Sequence, residues 1–166
     1  KEDYTIVFVD ELIERIKKGQ SVDKLCAVTL DDGYKSVVEV AYPILEDLQI
    51  PATLFVTSEM VQNRTFWRDK VRYIVNNNLE SDVLAFFKQI DCVVPEITSD
   101  NFYRATKTPQ LISSKVVSDA IDAYFRTNEV QLDEFRSELY ISSEEIKKKR
   151  KYLNFGNHSF NHYALS

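Results

Sequence analysis

Glycine is scarce in this sequence: three in 166 residues, with four prolines. That scarcity excludes a Gly-rich phosphate-binding chain, and neither a P-loop nor a GxGxxG fingerprint is present. Two cysteines, Cys26 and Cys92, are too few for a disulfide framework. Cys26 sits in an apolar run and reads as a small hydrophobe. No apolar run approaches the roughly 20 residues that span a bilayer, so no membrane span is expected. Cationic excess is missing too. The formal net charge is -5, which disfavours nucleic acid as a partner. Methionine occurs once, and not at position 1, where the chain has Lys1. The natural N-terminus, with any targeting segment, is therefore expected to lie outside this sequence, and the compartment is not specified. Histidine is the most informative scarcity. There are only two, His158 and His162, and both fall in the closing stretch "GNHSFNH".

What remains is an ordinary globular composition, 44% hydrophobic and 28% charged, of one-domain length. Residues 10–18, "DELIERIKK", carry Leu12, Ile13 and Ile16 at helical spacing, with acids leading and bases trailing, and Gly19 follows as a C-terminal cap. "LCAVTL", 25–30, predicts one fully buried strand ending at Asp31-Asp32-Gly33. Residues 36–48 predict a helix that Pro43 kinks or breaks. "ATLFVT" from Ala52 predicts a second buried strand, giving a βαβ unit with a parallel pair. Between Thr65 and Lys151 the pattern becomes amphipathic and helical, with Ser81, Ser113 and Ser142 as N-caps. Phe86, Phe87, Tyr124 and Phe125 read as packing residues rather than a base-stacking platform. The basic run at 147–151 reads as a solvated helix end. "LNFG", 153–156, predicts a third strand that feeds His158.

Asp31 and Asp32 therefore follow one buried strand, and His158 follows another. In a parallel sheet both places lie at strand C-terminal ends, where ligands bind. Each pattern has a plain reading. Asp-Asp-Gly is good turn chemistry, and a His-x-x-x-His pair alone is a weak signal. If a helix starts near His158, the spacing puts both imidazoles on one face. Together, one carboxylate and two imidazoles make a three-ligand set for Zn2+, with Co2+ or Ni2+ as substitutes. A second carboxylate is then left to take a proton from an attacking water. Adjacent residues at a strand end point in different directions, so Asp31 and Asp32 are not expected to ligate the same ion.

"TLDDGY", Thr29 to Tyr34, resembles the first motif of the polysaccharide deacetylases, the NodB-homology domain of carbohydrate esterase family 4. "GNHSFNH", Gly156 to His162, resembles their second, His-Ser/Thr-x-x-His, and the intervening "ILEDLQIPATLFVTSEMV" is similar to the family's helix and second strand. The resemblance covers roughly residues 21–62 and 152–166. It implies an α/β fold, here a partial distorted (β/α) barrel with a long helical insertion over 65–151 in a single truncated domain, 1–166. It implies hydrolysis of N- or O-acetyl groups on an acetylated sugar polymer. Carried over, it makes Asp31 the general base and Asp32, His158 and His162 the metal ligands. Thr29 and Tyr34 shape the site, and Asn157 and Ser159 support the histidine loop. Leu30 stands where the family has Phe, as a tolerated core swap. The family's later motifs, which supply an Arg, an oxyanion amide and a general-acid His, have no counterpart before Ser166. The expectation is therefore a fragment of a longer protein, inactive by itself. Two other functions fit the same residues: a non-catalytic carbohydrate- or partner-binding module that keeps the metal site, and a metal-dependent hydrolase of a small C–N substrate.

Overall fold

The computed structural model describes residues 3–92, 94, 96–108 and 111–163. The chain divides into two compact units, Lys1–Arg64 with Phe135–Phe160, and Thr65–Glu134 with Asn161–Ser166.

The first unit is built on short parallel sheets. β1 (Thr5–Ile6) and β2 (Leu25–Cys26) form one pair, and β3 (Val28–Asp32), β4 (Ala52–Val56) and β5 (Leu153–Asn157) form a three-stranded sheet in the order β3-β4-β5. The register runs Asp32↔Val56↔Asn157 at the C-terminal ends. The three expected strands thus share one parallel sheet. The described strands do not close into a barrel.

Two expectations about 25–30 need correction. The run is not one strand. It breaks at Ala27, because its two halves pair with different partners: Leu25–Cys26 with Thr5–Ile6, and Val28–Asp32 with β4. Nor is it fully buried. β3 has a strand on one side only, and its residues alternate between half-buried and exposed. The fully covered strand is the central one, β4, where Ala52, Thr53, Leu54 and Val56 are all buried. β1 was not anticipated, although the β-branched stretch from Thr5 to Val9 carried the signal.

Ala52, Leu54 and Val56 alternate onto one face of β4 and meet Val37, Ile141 and Leu153 in the core, with Leu30, Leu45, Ile146 and Phe155 packed around them. α1 (Val9–Lys17) forms where expected, with Arg15 on Glu11 and Lys18 on Glu14, and Gly19 follows at φ +66°. The 36–48 helix is broken as Pro43 demands. A π-helical turn, Val37–Ala41, precedes α2 (Tyr42–Asp47), which starts with Pro43 in its first turn. The Tyr42 N–H donates to the Val37 carbonyl, five residues back. The wider π turn accommodates a residue that has no N–H to give. α9 (Ser143–Lys147) is capped by Ser142, whose hydroxyl accepts from Glu145 N–H at 3.2 Å. The basic run beyond it is only partly solvated: Arg150 pairs with Glu145, and its side chain is 10% exposed.

The second unit is helical in the described residues: α4 (Trp67–Asn76), α5 (Glu80–Gln89), α6 (Phe102–Ala105) and α7 (Ser114–Thr127). α8 (Asp133–Leu139) starts at the close of the 65–134 segment, and from Phe135 on it belongs to the first unit. α3 (Ser58–Val61) belongs to the first unit. Ser113 is the N-cap of α7, but its side chain makes no cap bond, and Ser81 falls inside α5 rather than at its start. Phe66, Trp67, Phe87, Phe102, Ile74 and Ile121 are its most deeply buried large side chains. The aromatics pack as expected, with Phe86 edge-on to Tyr124 at 5.6 Å. Lys70 is buried yet satisfied: its Nζ donates to Ser118 Oγ at 2.9 Å and Asp122 Oδ2 at 2.7 Å. No described helix is long and apolar enough to cross a membrane.

Candidate metal site

β3 delivers Asp31 and Asp32 to the end of the sheet, where they part. Asp31 is exposed, on the side of the strand shared with Thr29, whereas Asp32 is half-buried. Asp32 has left-handed backbone, φ +75°, which a carboxylate residue tolerates better than a branched apolar one. Its carbonyl accepts the Thr57 N–H at 2.7 Å. Gly33 then turns the chain with φ +112°, and a Cβ there would meet Val56 Cγ1 at 2.9 Å. Both conformation and space demand glycine. The turn is held by Ile141 N–H donating to the Gly33 carbonyl at 3.1 Å and Lys35 N–H donating to Leu139 at 2.7 Å. Tyr34 lies against Tyr140, ring centroids 6.1 Å apart. Gly33→Ala should destabilise the protein by about 1–3 kcal/mol, read as a lowered urea midpoint. A loss below a few tenths of a kcal/mol would show that the turn relaxes freely.

β5 delivers the histidines. His158 N–H donates to the Val56 carbonyl at 2.9 Å, which fixes the chain as it leaves the sheet. No helix begins there. Residues 158–163 form a loop with left-handed backbone at Ser159, φ +64°, and at His162, φ +52°. The supposed helical face does not exist, because two left-handed residues interrupt it.

In the first unit the structure brings Asp32 and His158 together: Oδ1 and Nε2 are 3.8 Å apart, with both side chains partly shielded from solvent. That separation is too long for a hydrogen bond. It is close to the spacing of about 3.4 Å between two donors on a tetrahedral ion with bonds near 2.1 Å. Carboxylate and imidazole are also the donor types that divalent zinc accepts. His162 is held within the second unit. Trp67 Nε1–H donates to its carbonyl at 3.1 Å, and its ring meets Phe66 edge-on at 5.5 Å. Phe66 and Trp67 were not anticipated as supports for His162. The adjacent pair of large aromatics ahead of the charged "RDK" was the available signal.

Residues 18–84 match the model of the family described as Polysaccharide deacetylase. The N-terminal part of the chain is thus similar to polysaccharide deacetylase domains. The matched segment contains β2, β3, the Asp31-Asp32-Gly33 turn and β4. It stops well before His158 and His162, which the family match does not cover. No curated protein and no solved structure matches the chain.

Proposed function

We propose that this chain belongs to a metal-dependent hydrolase that removes acetyl groups from an acetylated sugar polymer. Asp32, His158 and His162 hold a divalent cation, Zn2+ by first preference, and Asp31 is the general base. The fold is part of a distorted (β/α) barrel, with 65–151 as a helical insertion in one domain. The observation that carries this is the approach of Asp32 Oδ1 to His158 Nε2, 3.8 Å, at the ends of two strands that share the same neighbour, within a chain whose N-terminal part matches the deacetylases.

A bound divalent cation would supply Lewis-acid polarisation of the acetyl carbonyl. The chain's own residues do the rest. The exposed Asp31 carboxylate is open to solvent and can accept a proton from an attacking water at one of its oxygens. The left-handed backbone at Asp32 and the Gly33 turn separate the two carboxylates into different tasks. Titration calorimetry with Zn2+ on the full chain tests the donor set. One equivalent should bind, and His158→Ala should lose most of the affinity. Absence of stoichiometric binding, or binding that survives His158→Ala undiminished, would remove the basis for the assignment.

A further inference from the structure

Four consecutive residues, from the last residue of β4 through Thr57 into the first turn of α3, reach both arms of the candidate site within the first unit. The Val56 carbonyl accepts His158 N–H at 2.9 Å, and Thr57 N–H donates to the Asp32 carbonyl at 2.7 Å. Ser58 N–H donates to the Ser159 carbonyl at 3.1 Å, and Glu59 N–H donates to the Phe160 carbonyl at 3.0 Å. We propose that Val56–Glu59 is a main-chain clamp that sets the separation of Asp32 and His158, with Ser58 and Glu59 as positioning residues acting through their N–H groups. The proposal rests on the metal-binding reading above.

The physical case has three parts. The first N–H groups of a helix have no partner inside it. In α3 the first two are spent on the histidine loop instead. Each arm of the site also contains a left-handed, non-glycine residue, Asp32 at φ +75° and Ser159 at φ +64°. Such backbone costs free energy and persists only where its surroundings hold it. In both cases the carbonyl of that residue is the group the clamp binds. Finally, the clamp continues directly from the buried central strand, of which Val56 is the last residue, and Thr57 is itself fully buried. Both arms are therefore tied to a segment anchored in the buried centre of the sheet. Groups that orient metal ligands typically govern affinity by about 10–100-fold.

Because the clamp uses main-chain groups, proline is the decisive substitution. Ser58 is the first residue of α3, a position proline favours. Thr57 before it is extended, φ −73° and ψ 115°, as a residue preceding proline should be. Ser58→Pro thus removes one N–H while suiting the local backbone. Ser58→Ala keeps that N–H. Ser143→Pro makes the same change at the first position of α9, after an equally extended Ser142. Ser159→Val, at an exposed site, attacks the bond from its other end by disfavouring left-handed backbone.

Zn2+ affinity by chelator competition, the visible spectrum of the Co2+-loaded protein, and amide exchange of Glu59 and His158 in metal-free protein together test the clamp. Ser58→Pro and Ser159→Val should each weaken Zn2+ binding by about tenfold or more and alter the Co2+ bands. Ser58→Pro should also raise exchange at Glu59 and His158 at least about tenfold. Ser58→Ala and Ser143→Pro should match the unsubstituted chain in all three. Undiminished affinity in both clamp variants, or unchanged exchange in Ser58→Pro, overturns the clamp. If the unsubstituted chain takes up no metal, the metal reading fails, and exchange alone decides whether the clamp exists.

Discussion

Asp31→Asn should leave the metal bound and lower kcat for acetate release by about 10²-fold or more, whereas Asp32→Asn should lose the metal first. The two residues are neighbours in sequence and nearly identical in chemistry, so the difference is purely positional. Asp32 turns inward beside His158, 3.8 Å from its Nε2. Asp31 is exposed on the other side of the strand. Asparagine preserves the shape of aspartate but cannot accept a proton, so at position 31 it removes the base while leaving the donor set intact. At position 32 it replaces a charged oxygen donor with a neutral amide, which holds a divalent cation poorly. Metal content and acetate release from an acetylated sugar polymer, measured on both variants of the metal-loaded protein, decide between them. A metal-free Asp31→Asn alongside a metal-replete, active Asp32→Asn would reverse the roles.

Trp67→Ala should cost about 3–5 kcal/mol of stability, the largest loss expected of a single side chain in the helical unit. The indole is 1% exposed and lies edge-on to Phe66 with ring centroids 6.3 Å apart. Its N–H also donates to the His162 carbonyl. Trp67→Phe separates the two contributions. It keeps most of the apolar volume, so the stability loss should be smaller, and it removes the bond that fixes the His162 backbone, worth about 0.5–1.5 kcal/mol. Zn2+ affinity should fall in Trp67→Phe even where the protein stays folded. Urea denaturation followed by circular dichroism supplies the stabilities. A loss under about 1 kcal/mol for Trp67→Ala would mean that the unit repacks around the gap.

The sequence by itself determined the elements whose cause is local. Helical spacing with acids first and bases last specified α1, the missing N–H of Pro43 called for a kinked or broken helix, and short apolar runs marked the three parallel strands. It also singled out the candidate donors, because only two histidines exist and a paired aspartate closes a strand. Tertiary structure decided the rest, for reasons no local pattern contains. Ala27 divides an unbroken apolar run because the residues before and after it hydrogen-bond to different strands. β3 is half-exposed and β4 buried because burial depends on how many neighbours a strand has. The histidines do not share a helix, since carbonyls at 159 and 160 are captured by N–H groups about a hundred residues earlier in the chain. Alternation along β3 already separates Asp31 from Asp32, but which of them faces an imidazole is decided by the strand order, which brings His158 to the same end of the sheet. Side-chain chemistry is written residue by residue, but its direction depends on long-range hydrogen bonds and packing, and these exist only once the chain has folded.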